Sequence, residues 1–152
     1  MTITTNKTSL EQIKKFFDKN DWKPLPFQIE SWEAYLNGES GIIQVPTGCG
    51  KTYAALMGPL SKLNYCKKKS GLNILLITPL KALSRDLKNA INSAAKYFDE
   101  EITVGIRNGD TSPYEKKKQI LNPPNILITT PESLTLLSVS YTHLTLPTIL
   151  RV

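Results

Sequence analysis

Pro46-Thr47-Gly48-Cys49-Gly50-Lys51-Thr52 decides the reading of this 152-residue chain. The apolar run Ile42-Ile43-Gln44-Val45 precedes it, and a helix-compatible segment, Tyr53-Ala54-Ala55-Leu56-Met57, follows. The spacing predicts a strand over residues 42–45, a tight glycine-rich loop, and a helix opening at Lys51 and Thr52. In such a loop Gly48 and Gly50 let backbone N–H groups turn inward around phosphates. Lys51 supplies a positive charge to the β and γ oxygens, and the Thr52 hydroxyl can ligate Mg²⁺. The helix start adds its dipole and unpaired N–H groups. The stretch therefore predicts a nucleoside triphosphate site.

Composition narrows the class. The length suits one domain with a proper core. A hydrophobic content of 40% with 21% charged residues is ordinary for a soluble globular chain. The net charge of +6 suits a polyanionic partner. The runs Lys67-Lys68-Lys69 and Lys116-Lys117-Lys118 hold part of that charge and read as solvated helix ends or loops. Cys49 and Cys66 lack metal-ligand spacing, and the lone His143 has no ligand partners nearby in sequence, so zinc is not indicated. Without a signal peptide or a membrane-length apolar run, the expectation is a cytoplasmic protein with reduced thiols and no membrane contact.

Strand and helix patterns alternate along the chain. Ser9-Leu10-Glu11-Gln12 reads as a capping box, opening a helix with Leu10, Ile13, Phe16 and Phe17 on one face and an end near Asn20. Pro26 predicts a second helix start, with Ile29, Trp32 and Leu36 inward and Gly38 as the stop. Gly58-Pro59 is expected to weaken or end the helix after the phosphate loop. Further strands are predicted over residues 73–78, 103–107 and 125–129, each a short apolar run of the kind buried in a parallel sheet. Between them fall a long helix over residues 81–98, with Leu83, Leu87, Ala90, Ile91 and Ala94 as its stripe, and one opening at Ser112-Pro113. Another follows Thr130-Pro131-Glu132. The fold class is α/β, a parallel sheet flanked by helices.

Three polar clusters follow the strands, where α/β proteins place ligands. They are Thr78-Pro79-Leu80-Lys81-Ala82-Leu83, Arg107-Asn108-Gly109-Asp110-Thr111, and Thr129-Thr130-Pro131-Glu132-Ser133. Each offers hydroxyls and turn or helix-start N–H groups, the means of gripping a sugar–phosphate backbone without reading bases. Singly, each is an ordinary strand-to-helix turn. Together, downstream of a phosphate loop, they predict a nucleic-acid face.

In this order the chain resembles the superfamily 2 helicases, and specifically the Lhr-like branch that includes the bacterial ligase-associated DEXH-box DNA helicases. The resemblance covers residues 16–138, including Trp22-Lys23-Pro24, Phe27-Gln28 and Trp32-Glu33-Ala34-Tyr35-Leu36-Asn37-Gly38. The phosphate loop, with Val45 where the strict eight-residue pattern has glycine, is a variant common in those helicases. Asn108-Gly109-Asp110-Thr111 stands where Thr-Gly-Asp-Thr is usual there, a mild departure.

The resemblance implies an incomplete RecA-like P-loop NTPase domain: N-terminal helices over 1–40, a partial ATP-binding domain over 41–138, and a tail over 139–152. It implies ATP and Mg²⁺ as cofactors, held by Pro46, Thr47, Gly48, Cys49, Gly50, Lys51 and Thr52, with Lys51 and Thr52 catalytic and Thr52 on the metal. Gln28 matches the glutamine whose amide can pair with adenine. Phe27 and Trp22 can pack on the adenine or on the core, and Cys49 is a tolerated small side chain or a reactive thiol. Single-stranded DNA contacts are implied for Pro79, Lys81, Ala82, Arg107, Gly109, Asp110, Thr111, Thr130, Pro131 and Glu132; RNA is not excluded. Such enzymes carry an acidic Mg²⁺ box after this point, yet no Asp or Glu follows Glu132. The chain thus reads as the front part of a DNA helicase of DNA repair, with DNA ligase and repair partners implied by the resemblance alone. The alternatives are a binding module without turnover, or a piece of an RNA helicase or double-strand translocase. The tail resembles no helicase segment. It is expected to be loosely packed and spurious, with a Thr/Leu-rich strand or loop as the alternative.

Overall fold

In the computed structural model of the chain, residues 2–64, 71–79, 83–140 and 149–151 are described, and they group into two compact units, Met1–Lys67 and Lys68–Val152. Among the described residues no helix is long and apolar enough to cross a membrane.

The first unit is helical: α1 (Thr2–Lys19), α2 (Pro26–Leu36) and α3 (Lys51–Asn64). Ile13, Phe16 and Phe17 bury one face of α1 as their spacing predicts, while Leu10 is half-buried. The capping box is not used. The helix runs through Ser9, whose hydroxyl is buried without a hydrogen-bond partner. Asp21 adopts φ +54°, Asp21 N–H donates to the Asp18 carbonyl at 3.1 Å, and Trp22 N–H donates to the Phe17 carbonyl at 2.9 Å. These two bonds form a Schellman stop, and the Phe17–Trp22 ring contact at 5.9 Å supplies the apolar contact that accompanies it. α2 begins at Pro26 as expected and buries Gln28, Trp32 and Leu36, with Ile29 half-buried.

Two further expectations fail in this unit. Residues 42–45 form no strand, and Ile42 is 94% exposed. A strand needs a lateral partner for its N–H and C=O groups, and among its described residues this unit holds only helices. Secondly, α3 continues through Gly58-Pro59 to Asn64. Burial outweighs the break: Met57, Gly58, Pro59, Leu60 and Ser61 are all buried, and the Ser61 hydroxyl donates to the Gly58 carbonyl at 2.7 Å.

The second unit holds β1 (Ile74–Ile77), α4 (Leu83–Phe98), β2 (Val104–Arg107), α5 (Pro113–Leu121), β3 (Ile126–Thr129), α6 (Pro131–Ser140) and β4 (Ile149–Arg151). All pairings are parallel, in the order β2-β3-β1-β4. β3 is buried throughout, and β1 over all but its last residue. Ile91, Ala94 and Ala95 of α4 are buried, and Leu87 and Ala90 are half-buried. Asn125 ties the amino ends of the strands together. Its Oδ1 accepts from the Thr103 N–H at 3.0 Å, and its Nδ2 donates to Asn73 Oδ1 at 3.3 Å. Ser112 caps α5 as expected, accepting from the Glu115 N–H at 3.2 Å. Where a loosely packed ending is expected, residues 149–151 pair with β1, Leu75 opposite Ile149. The parallel edge of β1 accepts a β-branched and apolar segment. Residues 141–148, with His143, and Val152 lie outside the described residues, as do Cys66 and the run at 67–69.

Candidate functional site

The phosphate loop lies in the first unit, between residues 41–45, which form no regular element, and α3. Gly48 and Gly50 adopt φ +84° and +81°, the left-handed region that glycine enters without strain. The helix begins at once: Ala54 N–H donates to the Gly50 carbonyl at 3.1 Å. The N–H groups of Lys51, Thr52 and Tyr53 therefore precede the first intrahelical bond and face out of the amino end. Lys51 Nζ donates to the Val45 carbonyl at 2.8 Å, which folds the ammonium back over the start of the loop. Pro46, Thr47 and Gly48 are exposed, while Cys49, Gly50, Lys51 and Thr52 are half-buried.

Gln28 reaches the loop from α2. Its Nε2 donates to the Gly50 carbonyl at 3.1 Å, and its Oε1 accepts from the Leu25 N–H at 2.9 Å. A Cβ on Gly50 would stand 2.6 Å from that Nε2, so a larger residue there would displace the far end of the Gln28 side chain. Gln28 thus has one donor and one acceptor engaged on backbone. A primary amide carries a second N–H and a second lone pair besides these.

Behind the loop five rings pack together: Phe16, Phe17, Trp22, Trp32 and Tyr53. Trp22 lies edge-on to Phe16 and Phe17 and 5.3 Å from the Tyr53 ring, so it belongs to this cluster, although 43% exposed. Trp32 Nε1 donates to the Tyr53 carbonyl at 3.0 Å, fixing the first turn of α3. Burial pushes the Tyr53 phenol above its ordinary value. Phe27 is half-buried in the first turn of α2. Sequence reasoning missed Tyr53 and Trp32 as supports of the loop. The density of aromatics between positions 16 and 53 was the signal.

In the second unit the sheet order brings the three polar clusters to one edge. Arg107, Thr129 and Ile77 stand side by side at the carboxyl ends of β2, β3 and β1. Thr78 N–H donates to the Thr129 carbonyl at 2.9 Å, and the Thr129 hydroxyl donates to the Arg107 carbonyl at 2.8 Å. The turn after β2 is internally braced: Asn108 N–H donates to Thr111 Oγ1 at 2.9 Å, and Asp110 N–H to Asn108 Oδ1 at 3.0 Å. Pro79, Gly109, Asp110, Pro131 and Glu132 are exposed along this ledge, and Thr111 is half-buried. Arg107 and Thr130 are buried. Arg107 Nη1 approaches the Lys116 carbonyl at 3.4 Å, and the Thr130 hydroxyl donates to Ser133 Oγ at 3.2 Å. Their side chains hold the turns in place, so a ligand on the ledge would meet their backbone first. Lys81 and Ala82 lie outside the described residues. Among the described residues no cluster of His, Cys, Asp and Glu could hold a metal ion.

A left-handed glycine loop opening a helix, together with a parallel sheet whose carboxyl ends carry braced polar turns, defines an α/β phosphate-loop protein. Its sequence matches the DEAD/DEAH box helicases over residues 25–148, and the chain belongs to that family. Within it the similarity runs to Lhr-type helicases. The Lhr helicase/probable uracil glycosylase of Mycolicibacterium smegmatis is 36% identical over 138 residues, covering 83% of this chain and 9% of the relative. The ATP-dependent helicase Lhr-Core of Sulfolobus acidocaldarius is 42% identical over 132 residues, covering 80% and 15%. A DEAD-box ATP-dependent RNA helicase of Oryza sativa is 30% identical over 127 residues, covering 80% and 19%. Among solved structures, Mycobacterium smegmatis helicase Lhr bound to ssDNA and AMP-PNP superposes with a TM-score of 0.75 at 34% identity, covering 83% of this chain and 17% of that one. The chain therefore spans only about a tenth to a fifth of the relatives it matches.

Proposed function

We propose that this chain is the ATP- and nucleic-acid-binding front part of an ATP-dependent, DEXH-box type DNA helicase of Lhr-like kind. The observation that carries the reading is the loop itself: two left-handed glycines running directly into a helix whose first residue is Lys51. Exposed backbone donors and a lysine held only by a neutral carbonyl suit an anion. A phosphate oxygen is a stronger acceptor than the Val45 carbonyl for the Lys51 ammonium. In this reading Lys51 moves from Val45 to the phosphates, Thr52 offers its hydroxyl to Mg²⁺, and Gln28 holds the loop while offering its remaining amide positions to adenine. Bound ATP supplies a transferable γ-phosphoryl group. The residues here bind and orient it.

The ledge at the carboxyl ends of β2, β3 and β1 is the single-strand site, gripping phosphates through turn N–H groups and hydroxyls. The Lhr structure with ssDNA and AMP-PNP supports DNA, and the rice relative named as an RNA helicase favours RNA as the second reading. A role in DNA repair, ligase partners and a cytoplasmic setting extend the same reading.

Titration of the chain with a fluorescent ATP analogue and Mg²⁺ tests it. Lys51→Ala should weaken binding by roughly tenfold or more, the loss of a charge-assisted contact, with an unchanged circular dichroism spectrum. Equal affinity in both proteins would overturn the assignment. Anisotropy with single-stranded DNA and RNA of one sequence decides between the two polymers.

A further inference from the structure

α5 carries a face that the strand-end ledge does not use. Its docked side is marked by Gln119, which is buried and donates from Nε2 to the Ile106 carbonyl at 2.9 Å, and by Lys116, whose carbonyl faces Arg107. On the opposite side, at helical spacing i, i+3, i+4 and i+7, stand Tyr114, Lys117, Lys118 and Leu121. Tyr114 is 76% exposed and Leu121 70%, and both lysines are exposed. Singly, an exposed apolar residue is unremarkable. An aromatic ring and a leucine interleaved with two cations on one stripe differ from a merely solvated face, because a ring beside cations suits a base beside its phosphate.

The stripe is also placed for it. α5 follows the Asn108–Thr111 turn directly through Ser112, so Tyr114 sits in the first helical turn, three residues from Thr111. The helix rises about 1.5 Å per residue, which puts Lys117, Lys118 and then Leu121 progressively farther from the ledge. The acidic groups nearby are Asp110 in the turn and Glu115 in the first turn of α5. Across α5 three lysines face one glutamate, a net positive surface.

We infer that the Tyr114–Lys117–Lys118 stripe of α5 is a second contact for single-stranded nucleic acid, taking a base on the Tyr114 ring and phosphates on the two lysines as the strand leaves the ledge. This rests on the ledge being the single-strand site. The contact is independent of base identity, since every base presents a π face. Leu121 bounds the stripe at its far end.

The test is fluorescence anisotropy of the full chain with a labelled dT oligonucleotide across a salt series, joined to ultraviolet crosslinking of an iodouracil-substituted strand. Lys117→Gln with Lys118→Gln should lower the slope of log K against log [salt] by about 1.4, the value for two lost single-strand phosphate contacts. Tyr114→Ala should weaken binding by at least about fivefold, the lower end for one lost stack, while Tyr114→Phe keeps the affinity. The crosslink should map to Tyr114. Variants that bind like the unaltered chain, with crosslinks only at the Asn108–Thr111 turn, overturn the second contact and leave the ledge standing. No binding by the unaltered chain at low salt overturns both. A Tyr114→Ala change in oligomeric state with unchanged DNA affinity assigns the stripe to a second copy of the chain and also overturns the inference.

Discussion

Gly50 is where residue chemistry and loop geometry meet most tightly. Its φ of +81° calls for glycine, and a Cβ there would also push on the Gln28 amide 2.6 Å away. Gly50→Ala should therefore destabilise the first unit by about 1–3 kcal/mol, the range for a non-glycine residue forced into a sparse backbone region. In a Gln28→Ala background the clash is gone and only the backbone strain remains. Urea unfolding of the two single variants and the double variant should show a smaller Gly50→Ala penalty there; a strictly additive cycle would deny the contact. Tyr53 gives a pH-dependent prediction. Its phenol is raised by burial, so the folded state holds the proton more tightly than the unfolded chain. The associated stability is complete below the unfolded value of about 10 and is lost as pH rises through the folded value. Above about pH 10 the unfolding midpoint should fall more steeply for the unaltered chain than for Tyr53→Phe. Parallel curves would show that the phenol feels no burial. The phosphate loop, both glycines and Lys51 were legible from residue order alone, because their spacing is local. The Gln28–Gly50 bond was not, since 22 positions separate the partners.

At the scale of elements, periodicity located most helices and strands, and its failures share a cause. The capping box at Ser9 and the break at Gly58-Pro59 are local signals outweighed by packing. α1 begins upstream of Ser9, and α3 continues because the Gly58 turn lies flat against the Tyr35 ring. A Cβ on Gly58 would meet Tyr35 Cδ1 at 2.9 Å and Cγ at 3.2 Å, the stiff inner part of the side chain. An ordinary helical Gly→Ala change stabilises by about 1 kcal/mol. Gly58→Ala should do the reverse, destabilising by about 1–3 kcal/mol through overpacking, as a drop in the thermal midpoint would show. A gain in stability would mean that α2 and α3 do not approach so closely. β1 and β3 needed no correction, because runs buried on both faces, such as residues 126–129, announce themselves without reference to partners. β4 was anticipated only as the alternative for the tail, and it pairs with the free edge of β1. Residues 42–45, Ile-Ile-Gln-Val, are likewise three apolar residues and one polar one and form no strand, in line with an apolar run becoming a strand only where a neighbouring ladder receives it.

Over the whole molecule the phosphate loop and the strand-end ledge lie in different compact units, Met1–Lys67 and Lys68–Val152. No Asp or Glu follows Glu132, and phosphoryl transfer to water needs carboxylates to hold Mg²⁺ and align the attacking water. The chain should bind the ATP analogue yet release phosphate near background, with or without single-stranded DNA, in a coupled phosphate assay. Robust DNA-stimulated release would show that the carboxylates present suffice. The sequence by itself determined the α/β class, the family, the phosphate loop and the three polar clusters, all carried by short-range spacing and strand-length apolar runs. Only the tertiary structure decided which groups are available to a ligand. It turned Arg107 and Thr130 inward, placed Trp22 in an aromatic cluster and bound Gln28 to the Gly50 carbonyl. It also left the Tyr114–Lys117–Lys118 face of α5 outward. Burial and hydrogen-bond partnership depend on residues far apart in the chain, and no local pattern encodes them.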